Sequence, residues 1–344
     1  MSSVHVVVPD DIDDPLRPSG GNTYDRRVCD GLVLLGWSVH EHPVAGAWPS
    51  PDVSARAALA DLLARIPDAT VVLLDGLVAS SVPEVLQPQA QRLRLVVLVH
   101  MPLGERTEEC AVLPAASAVV TTSRWTRHWL LDRYALRPEN VHVAGPGVDS
   151  ADIAPGTAAG GQLLCVAAVI PAKGHDVLLA ALRTLTDLSW SCVCVGTLTR
   201  DPDFFDTLTR QASEAGVGDR VHFVGPRTGA DLDDSYAAAD ALVLPSRAEA
   251  YGMVVTEALA RGLPVVATTV GGLPEALGGV DGSRAGLLVP PDDSTALATA
   301  LRCWLGDRQQ RQQLRRGAQE RRADLPGWQV TSGAISRILA EVAA

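Results

Sequence analysis

Two glutamates stand eight positions apart in the segment 246–268, which follows a short apolar run. Glu249 lies in the turn after that run, Gly252 lies near the start of a helical pattern, and Glu257 lies on that helix. A helix starting at Gly252 places Glu257 roughly 7.5 Å further along its axis. The helix N-terminus favours a phosphate, whereas the flanking carboxylates accept hydrogen bonds from hydroxyls. We therefore expect a ligand with sugar hydroxyls at both ends and a diphosphate between them, a nucleotide-sugar.

A single lysine marks a second place of chemical interest. Lys173 is the only lysine of the chain and lies in the quartet 171–174, after an apolar run and directly before a helical pattern. Ligands of parallel sheets bind outside the carboxyl ends of the strands, where this lysine falls. Gly174 beside it lets backbone approach closely. An accidental lysine is the alternative, but its position between a strand and a helix favours a function.

The elements that position these residues are short apolar runs that alternate with helical patterns. Continuous apolar runs predict parallel strands covered on both faces. The stretch 146–161 is rich in Pro, Gly and small residues and has the composition of a linker. We predict an α/β chain of two Rossmann-like βαβ domains, 1–155 and 156–327, whose parallel sheets face an interdomain cleft, followed by a C-terminal helix at 328–344. The predicted strands are 4–8, 71–75, 95–100, 118–121, 141–145, 163–169, 192–196, 221–225, 241–245, 264–268 and 286–290.

Composition narrows the class of protein. The 344 residues are 47% hydrophobic and 20% charged, which is typical of globular domains, and the formal net charge is −11. This acidic balance argues against nucleic-acid binding. The six cysteines form no CxxC pair, which is typical of core residues in a reducing compartment. With no basic leader and no apolar run long enough to span a bilayer, we expect a cytoplasmic protein.

Other motifs give weaker signals. No GxGxxG follows the first predicted strand, which argues against a dinucleotide-dependent oxidoreductase. The histidines show no convincing metal spacing, and acidic triplets such as 11–13, 201–203 and 231–233 arise freely in an acidic chain, so we predict no metal site. Trp125 and Trp129 stand one helical turn apart among arginines, which indicates either core packing or a peripheral membrane contact.

The paired-glutamate segment resembles the signature of retaining GT-B glycosyltransferases of family four, the glycosyl transferases group 1, which includes the phosphatidylinositol mannosyltransferases. The resemblance extends over most of the chain. Segment 19–39 is similar to the N-terminal glycine loop and helix of that family, and 122–149 to the end of its N-terminal domain. Segment 163–182 is similar to the opening of the donor domain, and 221–226 to the base-binding loop.

The resemblance implies a role for each matching residue. Glu257 would bind the ribose hydroxyls, Glu249 a hydroxyl of the transferred sugar, and Lys173 would neutralise the leaving diphosphate. His100 matches a histidine that faces the sugar near its reacting centre. Further donor contacts are implied at Gly20, Gly21, Gly225, Pro226, Ala250, Tyr251, Gly252, Met253 and Val254.

The same resemblance implies an activity. It is transfer of a UDP- or GDP-linked sugar, with retention and without a metal or cofactor, to a hydroxyl of a small molecule or lipid. The acceptor would bind to domain 1–155 and the donor to domain 156–327, the C-terminal helix would cross back to the first domain, and the protein would be a monomer or homodimer.

One position departs from the family pattern. An arginine usually stands five residues before the lysine, and this chain has Ala168 there. Arg247, Arg227 and Arg261 are candidates to replace its charge. The departure keeps open a nucleotide-sugar binding module or an inactive partner subunit, and a GT-B epimerase is a third alternative.

Overall fold

The computed structural model describes residues 2–104, 107–278 and 285–344. This part of the chain forms two compact units. Unit 1 comprises the described residues up to Asp14, together with Ser19–Gly147 and Pro326–Ala344. Unit 2 comprises Pro15–Pro18 and Val148–Leu325.

Each unit contains one parallel sheet, as the continuous apolar runs predict. Within the described residues, the sheet of unit 1 has the order β2-β1-β3-β4-β5-β6 and that of unit 2 the order β12-β11-β10-β7-β8-β9, all neighbours being parallel. The strands are β1 Ser3–Pro9, β2 Ser38–Val44, β3 Val71–Asp75, β4 Arg94–Val99, β5 Ala118–Thr121, β6 Val141–Val143, β7 Gln162–Val166, β8 Ser191–Val195, β9 Val221–Gly225, β10 Ala241–Leu244, β11 Val265–Thr268 and β12 Gly286–Val289.

Helices connect the strands and cover the sheets. In the described ranges they are α1 Gly20–Leu34, α2 Val53–Ala64, α3 Gly76–Ala79, α4 Pro83–Gln89, α5 Thr107–Val112, α6 Arg124–Arg133, α7 His175–Leu182, α8 Pro202–Glu214, α9 Gly229–Ala237, α10 Met253–Ala260, α11 Leu273–Leu277, α12 Ser294–Gly306, α13 Arg308–Ala323 and α14 Trp328–Ala343. No helix among the described residues combines the length and apolar character that a membrane span needs.

Both faces of the second sheet are buried. In β10, Ala241 and Val243 belong to one hydrophobic cluster, whereas Leu242 and Leu244 belong to another. Since successive residues of a strand point to opposite faces, the sheet is covered on both sides. This arrangement explains why the strand is a continuous apolar run and confirms the predicted α/β class.

One strand was missed by the sequence analysis. β2 has the sequence SVHEHPV and lies at the edge of its sheet, where only the last residue, Val44, is buried. An edge strand has a solvated side and tolerates polar residues such as His40 and Glu41. The continuous apolar pattern used for the other strands therefore does not apply to it.

Helix α14 belongs to unit 1 and packs on α1. The indole Nε1 of Trp37, after α1, donates to Ser336 Oγ at 2.8 Å. A Cβ added to Gly31 of α1 would lie 2.0 Å from Ser332 Oγ, so the helices approach at a position that only glycine allows. Thr331 Oγ1 also donates to the carbonyl of Gly145 at 2.8 Å. The C-terminal helix is thus anchored to the first helix of the chain.

The two tryptophans of α6 have different environments. Trp129 is partly buried, packs against the core of unit 1 and makes an edge contact with Tyr134. Arg133 lies over the Trp129 ring at 4.6 Å from its centroid. Trp125 is 36% exposed. Core packing therefore accounts for Trp129, and a membrane contact of this helix stays a prediction.

Candidate active site

Lys173 lies on a short turn that is fixed by its neighbours. After β7 the chain forms a 3-10 turn at Pro171–Lys173, and Gly174 follows with φ 70°. A Cβ at Gly174 would lie 2.0 Å from the carbonyl oxygen of Pro245, so this position requires glycine for both conformation and space. The amide of Arg247 donates to the Ala172 carbonyl at 2.8 Å. The lysine turn is therefore tied to the loop that follows β10.

The ammonium of Lys173 contacts the carboxylate of Glu249. Lys173 Nζ lies 2.6 Å from Glu249 Oε1, and the side chains are 22% and 11% exposed. Ser246 Oγ donates to the same oxygen at 2.9 Å. An ammonium has three N–H donors, and Glu249 takes one of them. The structure thus brings together two of the predicted residues, 76 positions apart, after the carboxyl ends of β7 and β10.

A pair of glycines holds the loop that carries Glu249. The amide of Gly272 donates to the Glu249 carbonyl at 3.1 Å. A Cβ at Gly271 would lie 1.6 Å from the Glu249 carbonyl oxygen, and one at Gly272 would lie 2.2 Å from that of Ala250. Backbone therefore packs directly on backbone behind the carboxylate. The larger part of the loop is buried, including Ala250 and Tyr251.

Helix α10 begins just after this loop. It runs from Met253 to Ala260, its N-cap is Gly252 with φ 89°, and no side chain caps it. A Cβ at Gly252 would lie 2.4 Å from Leu273 Cδ2. N-terminal amides without a side-chain cap, at the positive end of the helix dipole, favour an anion. The helix starts one residue later than the sequence analysis assumed, and Met253 and Val254 occupy its first turn.

Glu257 lies one turn further along α10 and is held by a tyrosine. Tyr236 Oη donates to Glu257 Oε2 at 2.7 Å, and burial raises the pKa of this glutamate. Arg261 donates to the Glu257 carbonyl at 2.9 Å and lies over the Tyr236 ring at 4.6 Å from its centroid. The glutamate is therefore fixed in one orientation, which suits acceptance of hydrogen bonds from a diol.

The base-binding loop predicted at Gly225 and Pro226 begins at the last residue of β9. Gly225 has φ 77°, and a Cβ there would meet open space, so its backbone conformation explains the glycine. Its carbonyl accepts from the Gly196 amide at 2.9 Å. Arg227 donates to Ser235 Oγ at 2.9 Å. These contacts tie the loop to neighbouring elements of unit 2.

The three arginines considered as replacements at Ala168 already have partners. Arg247 contacts both carboxylate oxygens of Asp176 at 2.8 and 2.7 Å and Asp292 Oδ1 at 2.6 Å. Despite partial burial, Arg247 lowers the pKa of Asp176. Arg227 contacts Ser235, and Arg261 contacts Asp233. Arg247 is the one that adjoins the lysine turn, and its charge is balanced by two carboxylates.

In unit 1, His100 lies in a cluster with two aspartates that the sequence analysis missed. His100 Nε2 lies 2.7 Å from Asp25 Oδ1 and 3.4 Å from Asp75 Oδ2. A Cβ at Gly21 would lie 3.2 Å from the His100 ring, so the glycine start of α1 closely approaches the imidazole. Gly20 and Gly21 open α1 behind the N-cap Ser19. Asp75 could have been identified from the sequence, because it is a polar residue at the end of the apolar run 71–75 and thus at the end of β3.

Asp25, Asp75 and His100 also have residue types that bind metals. Each of the three offers one atom that could bind a metal ion, and within the described part of the chain these three atoms lie within 4.8 Å of one another. Metal bonds of about 2.0–2.2 Å in tetrahedral geometry place two ligand atoms about 3.3 Å apart. The 2.7 Å contact between Nε2 and Oδ1 is a hydrogen-bond length instead. The group is therefore arranged as a hydrogen-bonded cluster.

The geometry of unit 2 agrees with a family match. Residues 159–321 match the family model described as glycosyl transferases group 1. Residues 159–321 of the chain therefore belong to this family. A D-inositol 3-phosphate glycosyltransferase 1 of Catenulispora acidiphila is 34% identical over 260 residues, covering 70% of this chain and 60% of that protein. A D-inositol 3-phosphate glycosyltransferase of Jonesia denitrificans is 36% identical, covering 61% of this chain and 54% of that protein.

Solved structures show the fold of the whole chain. A sucrose-phosphate synthase from Thermosynechococcus elongatus superposes with a TM-score of 0.83 at 21% identity, covering 99% of both chains. HepE of Anabaena in complex with UDP-glucose gives 0.77 at 18% identity, covering 99% of this chain and 100% of that one. These likenesses confirm the predicted GT-B fold of two Rossmann-like domains. The chain spans about 54–60% of the length of the curated relatives named above.

Proposed function

We propose that the chain transfers a sugar from a nucleotide-diphosphate sugar to a hydroxyl of a small-molecule or lipid acceptor. The observation that carries the proposal is the contact of Lys173 Nζ with Glu249 Oε1 at 2.6 Å, immediately before the N-terminus of α10. The relatives named for inositol 3-phosphate and the UDP-glucose complex of HepE support inositol phosphate as the first acceptor and UDP-sugars as the first donors to test.

The residues of unit 2 suggest how the donor is held. The diphosphate lies against the first amides of α10, and Lys173 faces the oxygen on which negative charge grows as the sugar leaves. Glu249 accepts a hydrogen bond from a hydroxyl of the sugar, and Glu257 accepts hydrogen bonds from the ribose hydroxyls. The bond between the sugar carbon and the phosphate oxygen breaks while the acceptor oxygen bonds to the same face of that carbon. Because the new bond forms on the face from which the phosphate leaves, the configuration is retained. The acceptor proton passes to the leaving phosphate, and the ammonium of Lys173 supplies the positive charge in place of a metal.

A second candidate function is a nucleotide-sugar binding module without turnover. It is favoured by Ala168, where the family pattern has an arginine, and by the two carboxylates that balance Arg247. In this case Lys173 supplies the only lysine ammonium, and its charge suffices for binding but not for bond cleavage.

A donor panel separates the two functions. The protein is incubated with UDP- and GDP-sugars, with and without inositol 3-phosphate, and released nucleotide and product anomer are measured. Transfer predicts acceptor-dependent nucleotide release, a product with the configuration of the donor, and an unchanged rate in EDTA. Calorimetric binding of a donor without turnover across the acceptors would support the binding module instead. Without acceptor, conversion of the donor into another nucleotide-sugar would support an epimerase, and release of free nucleotide would support a hydrolase.

Tyr236→Phe is expected to raise the donor KM by about 10-fold with little change in kcat. The substitution removes the hydroxyl that donates to Glu257 Oε2 at 2.7 Å, and a hydrogen bond to a charged group contributes about 1.5–3 kcal/mol. Since Glu257 binds the ribose equally in the ground and transition states, the loss falls on binding. Initial-rate kinetics with varied donor checks this result.

Tyr134→Phe is the matched control. Tyr134 Oη donates to Glu109 Oε2 at the same 2.7 Å distance, but in unit 1. The control should keep the donor KM of the parent protein. An equal rise of KM in both variants would show a general effect of losing a buried hydroxyl and would contradict the role of Glu257.

A further inference from the structure

Three titratable side chains meet in unit 1 from separate elements. Asp25 lies on α1, Asp75 ends β3, and His100 directly follows β4. Asp25 and Asp75 are each 4% exposed. Burial of charged groups is unfavourable unless charges balance and hydrogen bonds are made. The protonation of this cluster is therefore set by its internal contacts.

The hydrogen bonds limit where the protons lie. Asp75 Oδ1 accepts from the amides of Leu77 and Val78 at 2.7 and 3.3 Å, which leaves Oδ2 to face His100 Nε2 at 3.4 Å. One carboxylate oxygen of Asp25 and one of Asp75 lie within 4.8 Å of each other. Two ionised carboxylates buried this close together repel each other, which favours a proton on one of them. Asp25 Oδ2 is buried and accepts no hydrogen bond from the described residues. A proton on Asp75 would supply the missing donor.

We propose that Asp25 is a positioning residue that accepts the Nε2–H of His100 and keeps this histidine an imidazolium, while Asp75 carries the proton shared by the two carboxyls. The cluster is then neutral, with one positive imidazolium, one carboxylate and one carboxylic acid. Because both ring nitrogens of an imidazolium carry a proton, Nδ1 is also a donor while Nε2–H donates to Asp25. His100 therefore offers a charged N–H group, and its use on the sugar rests on the proposed transfer.

The surroundings of His100 agree with this assignment. From α1, Tyr24 meets the imidazole edge-on with ring centroids 5.2 Å apart, and its hydroxyl donates to the Ala144 carbonyl. Behind Tyr24, α14 contributes the uncharged Trp328. Burial raises the pKa of Asp75 to about 7. Burial alone would lower the pKa of His100, but Asp25 and Asp75 outweigh it and raise the value to about 9.

The first test measures His100 directly by NMR of protein with labelled histidine, the resonance being assigned with His100→Gln. We expect His100 to titrate near pH 9 in the parent protein. Asp25→Asn should lower its pKa by about 2 units, since a contacting opposite charge shifts a pKa by 1–3 units. Asp75→Asn keeps an acceptor for the two amides and should give a smaller shift. This variant also serves if Asp25→Asn does not fold.

Asp30→Asn is the control, because Asp30 is an exposed aspartate of the same helix. It should leave the His100 titration unchanged. A parent His100 that titrates below about pH 7, or a larger shift in Asp75→Asn than in Asp25→Asn, would overturn the proposal. This readout needs no transfer activity, so it decides the proposal even if the chain proves to be a binding module.

The second test follows the effect on catalysis. In the parent protein kcat should fall as pH rises through about 9, where the imidazolium is lost. Asp25→Asn should move this alkaline limb to lower pH by the shift seen in NMR, while Asp30→Asn should not move it. An alkaline limb that stays in place while the NMR titration moves would overturn the catalytic part of the assignment.

Discussion

Lys173→Ala is expected to lower kcat by about 10³-fold while the dissociation constant of the donor rises by about 10-fold or less. Removing one preorganised group that stabilises developing charge costs about 10²–10³ in rate, and no second lysine exists to replace it. The nearest candidate, Arg247, is balanced by Asp176 and Asp292. Because charge on the diphosphate grows as the sugar leaves, the loss falls mainly on turnover. Single-turnover kinetics and calorimetry measure the two quantities.

Lys173→Gln separates charge from packing. Glutamine keeps an N–H donor for Glu249 but has no charge, so the loss of kcat should match that of the alanine variant. A small alkylammonium added to Lys173→Ala should restore part of the rate in proportion to its concentration. A turnover number equal to the parent value in either variant would rule out the leaving-group role of Lys173.

Glu249→Ala is expected to lower kcat/KM by about 10²–10³-fold in a protein that stays folded. Glu249 accepts from Lys173 and Ser246, and we propose that it also accepts a hydroxyl of the transferred sugar. A hydrogen bond to a charged group contributes about 1.5–3 kcal/mol, and loss of the carboxylate also releases the ammonium from its position. Initial rates with saturating acceptor measure kcat/KM, and circular dichroism spectra check that the variant is folded.

Two variants control for this result. Ser246→Ala removes a single hydrogen bond to Glu249 and should cost less than about 10-fold. Glu214→Ala removes an exposed carboxylate at the end of α8 in the same unit and should keep the parent rate. Transfer at the parent rate by folded Glu249→Ala would contradict the assignment of the site.

The strands show which features of the fold are readable from sequence. The run VVLLD at 71–75 matches β3 residue for residue. Its first four residues are apolar because the strand is buried on both faces, and the polar residue of the run, Asp75, ends the strand. The edge strand β2 need not be apolar, and its His and Glu residues interrupt the apolar pattern by which a strand is recognised. Patterning thus identifies buried strands and misses an exposed one.

The site shows the same division. Lys173 and Glu249 were predicted separately from their positions after strands. The structure adds that they form an ion pair and that Ser246 Oγ donates a hydrogen bond to Glu249. Tyr236 and Asp25 were not predicted, since their partners Glu257 and His100 are 21 and 75 positions away. Local motifs reveal residues whose positions follow from the strand or helix beside them in the sequence. Hydrogen-bond partners supplied by other elements are set by tertiary packing, which spacing along the chain does not encode.

The most direct measurement is a crystal structure with the nucleoside diphosphate that the donor panel releases. The account predicts that the terminal phosphate lies at the first amides of α10, that Lys173 Nζ is within hydrogen-bond distance of it, and that Glu257 accepts both ribose hydroxyls. A diphosphate bound at any other place on the chain, with Lys173 still paired only to Glu249, would contradict it.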